Sequence, residues 1–498
     1  MTKILNKRSA VEGKMPTADQ LDYGELAVNY NANNPFISIK DSNDQVVKLG
    51  IEDAPINDTI YVRQNGSWIN LPIIDLWTYG IEWDTTIADP TLTRIGNPLY
   101  HKSLPIQSAY RGCVANGNVI NYYLDPNDWS KKIDGTPSVL DGTDGQVRVH
   151  TPRFYGKSGA EGTKKWVRIS TIKIDDSWTE IPEMVIDAYR CTIDRTNPGN
   201  LKTASVVNTS VNFRGGNGTS PSTSHDQYLS TDPFRTWLGK PVSMITRQLM
   251  REYAQNAESE LLSYNVYKWI FYWNWVIEYA TFNSQASYNA ELTSEGYRQG
   301  GMGDGLTTWN ALSWFSYLGN IYAITPCGYG NNMGNGSGIK ELVIPAFASY
   351  DSFTFQVPRW RGFDNPFGDI FTNIDGFVAQ YNAAKTKVDI FATWDNTHFE
   401  DVVDNMTLAG EQMVLGGNIS DYDLGSTGEI IPSRYNNLAT TYMCDDGYSD
   451  TQTTSNTLLV GGDLIGGAFS GFGCFYSYNA VSFVDARVGF RTLSRVKI

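Results

Sequence analysis

Cysteine, histidine and charge are all scarce in this 498-residue sequence, and each shortage removes a class of chemistry. The five cysteines, Cys113, Cys191, Cys327, Cys444 and Cys474, are odd in number, far apart and without a CxxC pair. That spacing provides neither a disulfide framework nor a zinc ribbon, and leaves buried free thiols as the expectation. The four histidines, His101, His150, His225 and His398, are too scattered for a motif such as HExxH, so no metal and no cofactor is expected. His225 in "SHDQY" and His398 in "THFEDVVD" each have a carboxylate nearby, which a surface histidine with a local hydrogen bond explains. Members of a triad need not be neighbours, and a glycosidase pair cannot be picked by spacing from 53 acidic residues. No catalytic residue is assigned, and the chain is read as a non-enzyme.

Only 18% of residues are charged, with 39 Lys and Arg against 53 Asp and Glu, a formal net charge of -14. No basic run interrupts this balance, which disfavours nucleic acid and anionic lipid as partners and leaves sugars and proteins open. Long apolar runs are missing too. The most apolar window, Trp269 to Ile277, is too short to span a bilayer and is interrupted by Asn274. The N-terminal "MTKILNKRSAVEGKMPTADQ" has basic residues but no apolar core of a secretory signal. The expectation is a soluble chain. "DGTDG", Asp141 to Gly145, lacks the spacing and closing Glu of an EF-hand and reads as a turn. The stretches "GYGNNMGNGSG" and "GGDLIGGAFSGFG" lack the Lys-Ser/Thr of a phosphate-binding loop and read as loops.

Glycine and aromatic residues, by contrast, are abundant near the C-terminus. Between Leu458 and Ile498, Gly461, Gly462, Gly466, Gly467, Gly471, Gly473 and Gly489 are interleaved with Phe469, Phe472, Phe475, Tyr476, Tyr478 and Phe483. Rings with few torsions, mixed with Ser, Asn and Gly, have the composition of a recognition surface on a stiff frame. The alternative is a Gly-rich β core whose aromatics all point inward.

Length and composition imply a folded protein of two or three domains. Residues 1–75 read as a β meander. "GELAVNY" alternates, with Leu26, Val28 and Tyr30 on one face and Ala27 and Asn29 on the other. Its apolar residues are too few for an isolated core, so oligomerisation is expected. Residues 76–145 read as short strands separated by ordered loops, a β-rich linker domain. Residues 146–498 hold two helices. One lies in "KPVSMITRQLMREYAQNA", with Pro241 and Ser243 as start signals, and the other in "ELLSYNVYKWIFYWNWVIEYATFN". The fold class is α+β and β-rich.

Two resemblances sharpen this reading. The block Pro16, Leu21, Gly24, Glu25, Leu26, Ala27 and Asn29 resembles the N-terminal segment of many tailed-phage fibre proteins. That resemblance implies a virion-attached, usually trimeric, fibre or adaptor, with Pro16, Leu21, Gly24, Glu25, Leu26, Val28 and Tyr30 as its attachment and oligomerisation residues. In the last part, "EMVIDAYRCTIDRTN", "WVIEYATFNSQA", "NPFGDIFTNIDG" and "RVGFR" are similar to segments of C-type-lectin-like domains of the formylglycine-generating-enzyme type. Phage tropism determinants diversified by retroelements use this fold, and many gut-phage proteins share the order of motifs. Copper chemistry of that enzyme type needs two neighbouring thiols, and only Cys474 stands in the required stretch. The family's ligand surface would correspond here to about Gly461 to Asp485. Asp463, Phe469, Phe472, Phe475, Tyr476, Tyr478, Asn479 and Phe483 are its candidate receptor-binding residues.

The resemblances imply a virion fibre, on head or tail, that binds a host-surface glycan or protein and is a homotrimer contacting other virion proteins through its N-terminus. The alternative is a purely structural decorating or collar subunit.

Overall fold

The computed structural model describes residues 7–33, 35–49, 61–64, 67–70, 73–87, 91–217, 236–303, 325–346, 351–436, 443, 445–452 and 454–496. Cys444 and His225 lie outside them. The chain forms two compact units, residues 1–73 and 74–498.

In the first unit, β1 (Lys7–Ser9), β2 (Leu26–Asn29), β3 (Phe36–Lys40) and β4 (Val46–Leu49) form one sheet in chain order. Strands β2 to β4 are antiparallel, and β1 joins β2 in parallel. The register places Leu26 beside Ile39 and Val47, and Val28 beside Ile37 and Leu49. These six apolar residues therefore share one face, and all are half-exposed or exposed.

The other face is the covered one, contrary to what hydrophobicity alone would dictate. Ala27, Asn29 and Ser38 are buried there, and the Asn29 amide donates to the carbonyls of Val11 and Lys14 at 2.8 and 2.9 Å. The chain between β1 and β2 thus folds over small and polar residues, fastened by hydrogen bonds. Among the described residues of this unit, Leu21 and Ala27 are the only buried apolar ones. Leu21 is therefore unavailable as an attachment contact, whereas Tyr30 is 57% exposed.

The second unit contains three large sheets. Strand Tyr79–Asp84 pairs with Lys164–Ser170, and Arg111–Asn116 pairs with Gln146–Thr151. Residues 76–145 are thus woven into the sheets of the residues that follow. The division expected at residue 145 is absent, because these antiparallel partners lie far apart in sequence.

A six-stranded sheet runs Val119–Tyr123, Arg111–Asn116, Gln146–Thr151, Met184–Asp187, Thr492–Arg495, Glu260–Leu261. Its closing strand is held between Met184–Asp187 and Glu260–Leu261. Arg148 and Asp187, both fully buried, fasten it. Arg148 Nε donates to Asp187 Oδ1 at 3.0 Å and one Nη to Ser494 Oγ at 2.8 Å. Asp187 Oδ2 accepts from the Thr492 amide and hydroxyl at 2.7 and 2.6 Å.

The helix Arg247–Asn256 is amphipathic and is capped by Thr246. It starts later than Pro241 and Ser243 suggested. Val242–Ser243 instead forms a short parallel pairing with Gly216–Asn217, and Met244 has a left-handed φ of 60°. The second helical segment, Tyr264–Tyr279, is buried along its whole length and is π-helical over Tyr267–Trp273. Trp269, Trp273 and Trp275 put large rings into the core on several sides. Among the described residues, no helix is long and apolar enough to cross a membrane.

His101, on the short helix Pro98–Ser103, is 2% exposed, and its Nε2–H donates to the Ile95 carbonyl at 3.0 Å. Burial pushes its pKa down from 6.5 to about 4, with Arg94 and Arg168 adding to the effect. The unfolded chain therefore takes up a proton that the folded state refuses. The resulting stability is complete above pH 6.5 and is lost as pH falls toward 4. The loss should reach roughly 3 kcal/mol. Denaturant midpoints measured across this range should fall in the wild type and fall less in His101→Gln. Equal slopes would refute the assignment.

Candidate functional site

The Gly-aromatic segment belongs to the nine-stranded sheet. Asn456–Val460 lies between Phe371–Asn382 and Phe475–Tyr476, and Asp446–Ser449 runs parallel to Phe475–Tyr476. Between the strands the chain reverses tightly at Gly462, whose φ of +69° is left-handed and whose Cβ, if present, would lie 2.3 Å from Ser470 Oγ. That approach lets Ser470 Oγ donate to the Asp463 carbonyl at 2.8 Å, while Asp463 Oδ1 accepts from the Gly466 amide at 2.9 Å. At Gly471 a Cβ would strike the carboxylate of Asp445 and the hydroxyl of Ser284. Asp445 in turn accepts from the Gly473 amide at 2.7 Å. The glycines therefore serve close packing as much as turning.

Two of the expected contact rings are core anchors. Phe472 is fully buried and stacks on Trp275 at 5.3 Å, with Phe367 edge-on at 5.1 Å. Phe475 is 1% exposed and packs edge-on against Tyr264 and Phe377. Neither can touch a receptor in this fold. On the short strand Phe475–Tyr476, the inward direction of Phe475 turns Tyr476 to the other face, because side chains alternate along a strand.

The other six candidates, Asp463, Phe469, Tyr476, Tyr478, Asn479 and Phe483, line a single cavity of about 380 Å³. Phe469 is its most exposed ring, at 41%. Tyr476 packs against Phe371 at 5.1 Å, and Tyr448, Tyr476 and Tyr478 form a ring cluster with centroids 4.9 to 6.4 Å apart.

The polar lining consists of Asp446, Asp463, Asp485 and Arg487, with Ser470 and Cys474. Arg487 forms a bidentate pair with Asp485, both contacts at 3.0 Å, and reaches Asp463 Oδ2 at 3.3 Å. The Tyr476 hydroxyl donates to Asp446 Oδ2. Burial holds the Asp463 carboxyl above its ordinary value despite the hydrogen bond from Gly466 and the Arg487 charge. Burial likewise raises Asp446, against the opposing hydrogen bond from Tyr476. Desolvation pushes the Cys474 thiol up, so it stays protonated and unreactive.

Phe371, Asp446, Asp485 and Arg487 also line this cavity and were not among the residues expected from sequence. The pair Asp485 and Arg487 was visible as a local Asp-x-Arg just ahead of the closing strand. Phe371 and Asp446 arrive through strand pairing and left no local signal.

The remaining sequence candidates have structural surroundings. In the loop "GYGNNMGNGSG", the Gly334 carbonyl accepts from Arg359 at 2.8 Å, and Trp129 Nε1 donates to Asn335 at 3.0 Å. At Asp141 the carboxylate accepts from the Thr143 amide at 2.9 Å, the geometry of a turn. His398 lies 3.7 Å from Asp395 at the surface. Among the described residues, no group of three His, Cys, Asp or Glu could hold a metal ion.

The tight approach at Gly462 makes a testable demand. Gly462→Ala meets both the left-handed strain and the contact with Ser470, whereas Gly135→Ala meets the strain alone, having open space at its φ of +84°. The strain costs about 1 kcal/mol in each. Thermal unfolding should show Gly462→Ala losing at least about 1 kcal/mol more than Gly135→Ala. Equal losses would show that the close approach contributes nothing.

No family model and no curated protein matches the sequence. Among solved structures, a Major Tropism Determinant U1 variant aligns over 99% of this chain and 99% of its own, at 11% identity and a TM-score of 0.24. A Major Tropism Determinant P3c variant aligns over the same shares, at 11% identity and a TM-score of 0.23. Likenesses of that size carry no weight for function.

Proposed function

We propose that this chain is a phage virion fibre protein that adheres to a host-surface glycan or protein through the cavity near its C-terminus. The cavity itself carries the reading. It brings together six residues singled out from sequence as ligand contacts, five aromatic rings and three carboxylates, on a loop braced from behind by Phe472 and Phe475. Rings of this kind stack on sugar rings or fill receptor pockets, and the adjoining carboxylates and Asn479 accept or donate hydrogen bonds. Attachment is non-covalent, without turnover. The surrounding fold is read as C-type-lectin-like. The antiparallel pairing of Met184–Asp187 with the closing strand and the two helical segments between them support that reading.

The first unit serves attachment to the particle and self-association, as a homotrimer. Its open apolar face, Leu26, Val28, Ile37, Ile39, Val47 and Leu49, supports this role. A sheet with so few buried apolar residues gains stability when that face is covered by copies of itself. Association also multiplies weak single-site binding, by about a hundredfold or more where geometry permits.

Adhesion is tested by retention of the purified full chain on a panel of bacterial cells and their envelope glycans. Phe469→Ala and Tyr478→Ala should each weaken retention roughly tenfold. If particle-bound protein is retained by no cell, the role is structural, and release of reducing ends from the glycans would make the protein an enzyme. Association is tested by sedimentation. The wild type should run as a trimer and Val28→Glu as a smaller species, and a monomeric wild type would refute the assembly.

A further inference from the structure

We infer that the C-terminal cavity selects a ligand bearing a positively charged ammonium group, an amino sugar or alkylated amine, over neutral and anionic sugars. This rests on the adhesive reading of the cavity and specifies the chemistry it accepts.

The charged lining is unbalanced, with Asp446, Asp463 and Asp485 against the single guanidinium of Arg487. Arg487 is already committed. Both carboxylate oxygens of Asp485 and one of Asp463 occupy its donors at 3.0, 3.0 and 3.3 Å. An incoming carboxylate or sulfate would have to break that pairing while facing Asp446 and Asp463. Among the described residues, no lysine or histidine lines the cavity to offset the cost.

An ammonium group meets the opposite situation. Phe371, Tyr476, Tyr478, Phe469 and Phe483 border the same space, and aromatic rings attract cations, most strongly where water is excluded. Tyr476 links the two parts of the lining, because its hydroxyl donates to Asp446 while its ring packs between Phe371 and Tyr478. Aromatic walls with carboxylates beside them are the arrangement by which proteins hold ammonium groups. At about 380 Å³ the space is that of a small-molecule site, which fits one sugar unit or a small amine of a larger surface polymer.

The titration of the lining gives a second signature. Asp463 faces Arg487 and Asp485, Asp446 faces Tyr476, and burial together with the charges of Asp446, Asp445 and Asp463 keeps the Cys474 thiol protonated. Both carboxyls are raised by burial, so an ammonium ligand must displace protons at low pH. Affinity should rise with pH and level off once both are ionised.

The test is titration calorimetry of the full chain with glucosamine, choline, glucose, N-acetylglucosamine and glucuronate, run in parallel with the cell-retention assay. Glucosamine and choline should bind at least tenfold tighter than glucose or N-acetylglucosamine, and glucuronate should not bind. The preference should weaken as pH falls, beginning above the ordinary carboxylate pKa of ~3.9 because burial raises both groups. Asp446→Asn and, separately, Asp463→Asn should bring glucosamine down to the level of glucose. Asparagine keeps an acceptor for the Gly466 amide, and Asp446 lies outside that loop, so one variant checks the other. Equal binding of glucose and glucosamine, binding of glucuronate, or no binding of any probe would overturn the inference. Retention on cells without ammonium preference would remove this inference and leave the adhesive reading intact. Loss of retention itself would remove the reading beneath it.

Discussion

The buried pair Arg148 and Asp187 is the interaction on which the larger unit depends, because it joins strands that the chain visits at opposite ends of a long excursion. Asp187 accepts from the Thr492 amide and hydroxyl while pairing with Arg148, and Arg148 also donates to Ser494 and to the Gly117 carbonyl. Arg491, next to the closing strand, donates to the carbonyls of Asp187 and Ala188. Two charges taken out of water in this way confer little net stability by themselves, since desolvation offsets most of their attraction. What they fix is register. A one-residue slip that set Leu493 opposite Asp187 would take the Thr492 amide and hydroxyl away from its Oδ2, at a cost of about 1–3 kcal/mol for a buried acceptor left without its donors. Hydrophobic burial alone would tolerate several alignments here, and the charge pair tolerates one.

That register is passed on to the cavity. Val488–Gly489 pairs in parallel with the start of Phe371–Asn382, so the residues just ahead of the closing strand are tied to the central sheet on one side and to Asp187 on the other. Asp485 and Arg487 sit in this bracket, and Phe472 and Phe475 anchor the preceding loop in the core. Under the proposed function, the rings of Tyr476 and Tyr478, packed against Phe371 and Tyr448, have little freedom left to lose when a ligand arrives. A surface ordered in advance forgoes the side-chain entropy cost that a mobile loop would meet on binding. The raised carboxyls belong to the same logic. They are buried for the sake of the loop, and their elevated proton affinity is the consequence.

Much of this was legible in the sequence, and the failures have identifiable causes. The Gly-aromatic segment was visible by composition. Which rings face outward was not visible. Phe472 and Phe475 differ from Phe469 only in lying opposite Trp275 and Tyr264, which are contributed by a helix some 200 positions away. That helix was the clearest element to read, since it holds the most apolar window of the sequence, Trp269 to Ile277. The start of the other one was misplaced because Pro241 and Ser243 carry ordinary helix-start chemistry while Val242 is occupied by a strand partner. The boundary at residue 145 failed for a related reason. Loop-like composition between Asp125 and Gly145 marks an ordered excursion, and Arg111–Asn116 before it pairs with Gln146–Thr151 after it.

The two units handle apolar surface in opposite ways. The larger one buries Trp269, Trp273, Trp275 and Trp360 around a helix that is itself buried along its length. The smaller one hides Asn29 and Ser38 and leaves Ile37, Val47 and Leu49 toward water. Selection for a monomer would exchange these faces, since moving one apolar side chain inward contributes about 1.5–3 kcal/mol. This sheet keeps its polar side covered by hydrogen-bonded chain and its apolar side open. Under the proposed function, the first unit converts that unmet burial into assembly, while the second holds a rigid cavity whose selectivity needs no help from the assembly.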